Sequence, residues 1–507
     1  MKIRVLMCLP LAVGLALSGT LPAATLQPLI HQPPAFVDAG PPFLLTDGTV
    51  MFQGDSYTDW WKLTPDASGS YLNGTWTELA SLPAAWNYGP YACASAVLAD
   101  GRVLIEGGEY NLGGPFSLTN MGAIYDPVAD SWTQVDPPPG WDYIGDSASI
   151  VMPNGKFLLG DKLTMRIAEL DPATLSWTEL GSDGKADFNA EEGWTLLPDG
   201  SFITVDVLDM PNTERYAYTD APAAGLWTSL GSTPESLAWN YHLPPIMFGG
   251  GTYTPPGETG QCILRPDATV FCTGASDDQP ADLAHTAIYD SVSMTWASGP
   301  DFPSGDDAGD TSAVLLPSGN VLVSSAFGRL YEFDGSSLTP GPSGGGLLVT
   351  LPSGQAIVNG SEVRIYTPDA TPAPDPSWAP TITDWPTTLA PGATYVISGT
   401  QFNGLSQAQA FGDELQAATN YPLVQITNNA TGDVTYARTH DHSSMGVATG
   451  DLPVSTNFDV PANIEPGTSS LVVIANGIAS PSVCVSVLRA ADEVFTDGFD
   501  GGVGCPP

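Results

Sequence analysis

The sequence predicts an all-β protein, a seven-bladed β-propeller followed by a β-sandwich, on three observations. A hairpin motif recurs seven times along the chain, most copies are trailed by an aromatic-Asp turn and a tryptophan, and turn-forming residues are abundant. With 55 Gly and 47 Pro in 507 residues, the chain suits many short strands better than helices.

The hairpin motif is a pair of apolar residues, a polar or Pro-containing turn ending in Gly, and a second apolar run. It turns at Gly48, Gly101, Gly155, Gly200, Ala268, Gly319 and Gly354. Glycine supplies the positive φ that such turns require. The second signature is an aromatic or apolar residue followed by Asp, then a Trp, as in Tyr125-Asp126 with Trp132, Leu170-Asp171 with Trp177 and Tyr289-Asp290 with Trp296. Trp76 and Trp227 hold the same place in their units. An inner hairpin plus an outer strand pair is one four-stranded blade of the kelch type.

The blade pattern spans residues 25–369 and ends at Tyr366-Thr367-Pro368-Asp369. A Pro-rich linker covers 370–380. Residues 381–489 then alternate apolar and polar in short runs, the pattern of an immunoglobulin-like sandwich. A polar, Gly-rich tail fills 490–507. At the other end, residues 1–24 read as a signal peptide: Lys2 and Arg4, an apolar run from Val5 to Ser18, and small residues at Ala23 and Ala24. The mature chain is therefore expected outside the cytoplasm, secreted or periplasmic, with no membrane span.

The charge balance narrows the partners. Against 55 Asp plus Glu stand only 14 Lys plus Arg, a formal net charge of -41. No basic stripe exists to neutralise phosphates, so nucleic acid is excluded as a partner. An extracellular glycan or small carbohydrate fits an exported acidic protein, which is expected as a monomer. Export also permits disulfides. Cys262 and Cys272 stand symmetrically about the turn near Asp267, a cross-strand disulfide candidate, and Cys484 and Cys505 are a second possible pair.

A seven-bladed kelch propeller with an immunoglobulin-like C-terminal domain resembles the galactose oxidase family over nearly all of the mature chain. The likeness is carried further by Gly145-Asp146-Ser147-Ala148, by Trp194-Thr195-Leu196-Leu197-Pro198-Asp199-Gly200 and by Thr439-His440-Asp441-His442-Ser443-Ser444-Met445. The resemblance implies an axial copper radical centre made of two tyrosines, one cross-linked to a cysteine, and two histidines. Cys93 falls at the family's cysteine position. Where the cross-linked tyrosine would stand, however, this chain has Asp146, and where a Tyr-His pair would stand it has Gly309-Asp310. Both tyrosines and one histidine are missing, so a copper radical cofactor is not supported and enzyme activity stays open.

The replacements suggest another chemistry. Asp146, Glu191, Glu192 and Asp310 lie eight or nine residues before their hairpin turns, at positions expected to converge on the propeller axis. The loop carrying His440 and His442 is expected to plug that mouth. Together these six residues form a candidate site for a divalent metal, Ca²⁺ if oxygen alone coordinates or a transition metal if imidazole joins. Capping of strand ends would explain the same acids without any metal. Trp60, Trp61, Trp141 and Tyr143 are candidates for stacking on sugar faces, although core packing accounts for most such aromatics. Three functions follow: glycan binding or carbohydrate action at a modified axis, oxidation of sugars or alcohols by a variant metal centre, and protein adhesion through blade loops.

Overall fold

The computed structural model describes residues 24–489 except 38, 39, 41, 220–224, 241–245, 249–250, 254–256, 277–282, 304, 370 and 411–415. The segment read as a signal peptide, up to residue 23, and the tail 490–507 lie outside the described residues.

Seven four-stranded antiparallel sheets are arranged as blades. Their innermost strands are Phe43–Leu44, Ala94–Val97, Ser149–Val151, Thr195–Leu196, Cys262–Leu264, Ala313–Leu315 and Leu347–Thr350, for blades 1 to 7. Each inner strand turns at the repeated Gly into a second strand whose side chains are almost all buried, because both faces pack on neighbouring blades. Blade 5 makes its turn with Ala268 at φ 64, a left-handed residue where the other blades use Gly. The ring is closed by Thr25–Pro28, which pairs antiparallel with Val363–Thr367 as the outer strand of blade 7.

The blade tryptophans lock neighbours together. The indole N–H of Trp132 in blade 2 donates to Ala80 O, 2.8 Å away, beyond the end of blade 1. That of Trp177 in blade 3 donates to Asp136 O at 2.7 Å, and that of Trp296 in blade 5 to the Thr213 hydroxyl of blade 4 at 3.0 Å. Each ring also packs on an aromatic of its own or the adjoining blade, as Trp132 does on Tyr125 and Trp60.

The C-terminal region is a nine-stranded sheet, from Thr381–Asp384 to Val483–Val487, that curls around a core containing Ile397, Val424, Phe458, Leu471 and Val485. It is joined to the propeller in two places. Gln409–Ala410 pairs with the inner strand of blade 6, making that sheet five-stranded. The flanking residues reach other inner strands: Leu196 N donates to Gln407 Oε1 at 2.8 Å, Gln409 Nε2 to Leu348 O at 3.2 Å, Ser95 Oγ to Gln416 O at 2.7 Å, and Tyr421 Oη to Leu44 O. Residues 407–410 and 416–421 therefore touch the inner strands of blades 1, 2, 4, 6 and 7. The second join is the loop after Val434–His440, whose N–H groups at Thr439, His442 and Met445 donate to Thr46, Ala99 and Pro153. Those acceptors are in the hairpin turns of blades 1 to 3.

Gly48 shows how tightly the second join packs. It sits at φ 74, and a Cβ there would lie 2.4 Å from the Tyr436 ring. Cys262 and Cys272 are directly opposed across blade 5 and joined by a disulfide. Cys484 is also disulfide-bonded, while Cys505, its expected partner, lies outside the described residues. Among the described residues no helix is long and apolar enough to cross a membrane.

Candidate functional site at the axial mouth

Antiparallel hairpins divide the propeller into two faces. Inner strands begin, and second strands end, on one face; the hairpin turns lie on the other. Asp146, Glu191 and Asp310 precede inner strands of blades 3, 4 and 6, and so belong to the first face. His440 and His442 lie on the turn face. The six residues read as one metal centre are therefore not one centre. An inner strand with its flanks separates the two sets by roughly 20 Å, at about 3.3 Å per residue. Among the described residues, the inner strands are met by Gln407, Gln409, Gln416 and Tyr421, whereas the histidine loop meets the hairpin turns.

Both histidines are committed to local hydrogen bonds. His440 Nδ1 meets Asp441 at 2.7 Å and its Nε2 meets Asp459 at 3.2 Å. His442 is buried, bonds the Thr456 hydroxyl at 2.8 Å and lies parallel to the Tyr421 ring, with centroids 6.1 Å apart. Burial, reinforced by neighbouring His440, lowers its pKa to about 3, so it is neutral.

On the mouth face the acids do not share a single cluster either. Glu191 adopts φ 58 and Asp310 φ 48, each nine residues before its turn Gly. Left-handed non-glycine residues cost about 1 kcal/mol and persist where the surroundings hold them. Neighbouring Glu191 and Glu192 part at that bend in different directions. Glu191 joins Asp146 on the ammonium of Lys162, while Glu192 turns into blade 4 and meets Lys185 at 2.7 Å. The Lys162 and Asp146 side chains are each only 1% exposed. Burial raises the Asp146 pKa to about 7, with Lys162 opposing and Glu191 adding to the rise. Glu109 of blade 2 is also pushed to about 7, by burial first and then by the charge of Asp146. Asp310 acts on Glu109 through space as well, so blades 2, 3, 4 and 6 contribute to one charged mouth.

Asp310 is exposed and opens onto a cleft of about 370 Å³ between blades 6 and 7. Thr311, Ser312, Ser324, Ser325 and Asn359 line it with hydroxyl and amide groups. Across the mouth, on the loops of blades 1 and 2, three tyrosines form a row. Tyr57 meets Tyr91 edge-on and Tyr91 meets Tyr110, with ring centroids 6.0 Å apart in both pairs. Tyr91 and Tyr110 are cross-strand partners in a two-residue ribbon, and Tyr91 is 40% exposed.

The aromatics expected to stack on sugars lie elsewhere. Trp60 and Trp141 are buried, Trp60 against Phe43 and Trp132, Trp141 under the Arg166 guanidinium, so neither presents a face to solvent. Trp61 and Tyr143 are half-buried. The tyrosine row is not legible in the sequence because its members are far apart in the chain, and the ribbon that pairs Tyr91 with Tyr110 is only two residues long on each side. The one available signal was Gly-Glu-Tyr at 108–110, which follows a strand and carries both Glu109 and Tyr110.

These residues do not fit a copper radical group. Cys93 is buried, and nearby Tyr88 spends its hydroxyl on Gly107 O at 2.9 Å. At the position of the cross-linked tyrosine stands Asp146, already bound to an ammonium.

Fold and site thus define a seven-bladed kelch-type propeller with a charged, tyrosine-rimmed mouth. No protein-family model matches the chain. Over 147 residues it is 29% identical to the Kelch-like protein terF of Aspergillus terreus, a match covering 28% of this chain and 30% of that protein. The chain thus spans about a third of the length of the curated relative it matches. Among solved structures it is similar to a fungal alcohol oxidase of the AA5 family in complex with copper, with TM-score 0.48, 12% identity, and coverage of 92% of this chain and 100% of the other. YCF48 bound to a D1 peptide is similar at TM-score 0.43 and 11% identity, over 69% of this chain and 97% of that one.

Proposed function

We propose that the chain is an exported kelch propeller with an immunoglobulin-like C-terminal unit, and that it binds an extracellular glycan across its axial mouth. The observation that carries this reading is the Tyr57–Tyr91–Tyr110 row facing the same mouth as Asp310 and its hydroxyl-lined cleft. Aromatic rings with polar handles offer a flat apolar face to the C–H side of a sugar ring. Serine, threonine and carboxylate groups accept and donate to its hydroxyls. The acidic mouth favours neutral or amino sugars over uronic acids.

Glycan-array retention of the full chain tests this reading. Retention of neutral or amino glycans that weakens in Tyr91→Ala is the expected result. An array that retains nothing, or retains equally with Tyr91→Ala, contradicts it.

A further inference from the structure

Beneath the mouth, blade 4 contains a second charge cluster that glycan binding does not use. Lys185 Nζ lies 2.9 Å from Asp187, 2.7 Å from Glu192 and 2.7 Å from Glu214. Asp206 completes the group, and ligand oxygens from the four acids all lie within 4.8 Å of one another. All four acids are buried. Asp206 is 0% exposed, and neither of its carboxylate oxygens has a hydrogen-bond partner.

The charge does not balance. Four carboxylates against one ammonium leave a formal charge of −3 where water does not reach, which is not sustained without neutralisation. Three of the acids are held in place by hydrogen-bond donors. Asp187 accepts from the backbone N–H of Leu208 at 3.0 Å and of Asp209 at 3.2 Å. Glu214 accepts from Ala186 N–H at 2.8 Å, and Glu192 from the Thr204 hydroxyl at 3.3 Å. Hydrogen bonds to a carboxylate stabilise its charge and orient its remaining lone pairs. The unpartnered oxygens of Asp206 then face three neighbouring carboxyl groups that are fixed in orientation.

We propose that this cluster is a Ca²⁺ site, with Asp206 as the central ligand and Asp187, Glu192 and Glu214 completing the shell beside Lys185. The donors are oxygen only, which selects a hard cation over zinc or copper. Opposite oxygens of a Ca²⁺ shell are about 4.6–5.2 Å apart, twice the Ca–O distance, so the observed spread fits inside one shell. The ion would tie the connection entering blade 4 (Lys185, Asp187) to the turn after its second strand (Asp206) and to its third strand (Glu214). Through Glu192 it would fix the backbone that carries Glu191 into the mouth.

The test uses the full chain stripped with EDTA and titrated with CaCl₂ by calorimetry, with melting followed in parallel. One equivalent of Ca²⁺ is expected to bind and to raise the melting temperature by roughly 3 °C or more at saturation. Asp206→Asn should abolish this uptake while melting, in EDTA, no lower than the stripped wild type, because the amide is nearly isosteric with the carboxyl group and places no charge in the buried cluster. Terbium gives a readout that needs no variant. The Trp227 ring centroid is 4.9 Å from Lys185 Nζ, so Tb³⁺ at the site should emit on indole excitation, and Ca²⁺ should quench that emission by displacement. Absence of Ca²⁺ uptake, uptake unchanged in Asp206→Asn, or terbium emission insensitive to Ca²⁺ overturns the proposal.

Discussion

Glu191 and Glu192 are consecutive in the chain, yet they serve different lysines: Glu191 pairs with Lys162 at the mouth and Glu192 with Lys185 inside blade 4. The left-handed backbone at Glu191, φ 58, lies at the point where the two side chains part towards different lysines. Of the four acids expected at the axis, Asp146 and Glu191 share Lys162, Glu192 pairs with Lys185, and Asp310 stands apart, exposed.

Lys162→Met is predicted to lower stability by about 3–5 kcal/mol, since it leaves Asp146 and Glu191 buried without a counter-charge. Chemical denaturation of the variant measures this. Adding Asp146→Asn and Glu191→Gln to Lys162→Met should recover much of the loss; a Lys162→Met variant as stable as wild type would show the ion cluster to be dispensable.

Stability should depend on pH in two opposing windows. The folded protein holds protons on Asp146 and Glu109 up to about pH 7, whereas the unfolded chain releases them near 3.8 and 4.5. Their contribution is therefore lost as pH rises from about 4 through 7. His442 acts the other way. Its folded pKa of about 3 lies below the unfolded 6.5, so the unfolded chain binds the extra proton and stability falls as pH drops through that interval. Between pH 5 and 7 the Asp146 contribution to the urea midpoint, which falls in wild type, should be missing in Asp146→Asn. The midpoint of that variant should therefore fall by less over that interval, and the difference should not grow further between pH 7 and 8.

Copper loading is predicted to give no tyrosyl-radical signal in optical or paramagnetic-resonance spectra, and no peroxide from sugars or primary alcohols. The reason is local: Asp146 and Lys162 occupy the place of a redox-active tyrosine. A radical signal that requires Cys93 would contradict this account of the mouth.

The Cys262–Cys272 disulfide closes a short loop in blade 5. Replacing both residues with serine is expected to cost about 2–3 kcal/mol, the range for loops of this length. The comparison of melting temperatures under non-reducing conditions measures it directly.

The blades were legible in the sequence because their signals are local. A turn Gly, an apolar pair and a Trp lie within one unit, and each dictates its own hairpin or peg, as at Gly155 and Trp177. The segment that meets the inner strands was not legible. Among the described residues its pairing with blade 6 is short, Gln409 and Ala410 with Ala408 O accepting from Leu315 N, and its contacts to Leu44, Ser95, Leu196 and Leu348 come from distant blades. The acids were found by spacing, but their partners were overlooked. The chain has only five lysines, and Lys185 lies two and seven residues from Asp187 and Glu192, whereas Lys162 stands 16 residues from Asp146 and 29 from Glu191. In so acidic a chain, a lysine beside such acids signals a buried ion pair. The histidine loop misled because position along a strand decides which face of the propeller a residue reaches, and that is set by the third dimension.

Calorimetric titration of the full chain with the glycan best retained on the array tests the central claim most directly, run on wild type, Tyr91→Ala and His440→Ala. The mouth reading predicts that Tyr91→Ala weakens binding by about tenfold, the equivalent of ~1.4 kcal/mol, while His440→Ala on the opposite face leaves it unchanged. Binding that survives in Tyr91→Ala, or is lost in His440→Ala, would contradict it.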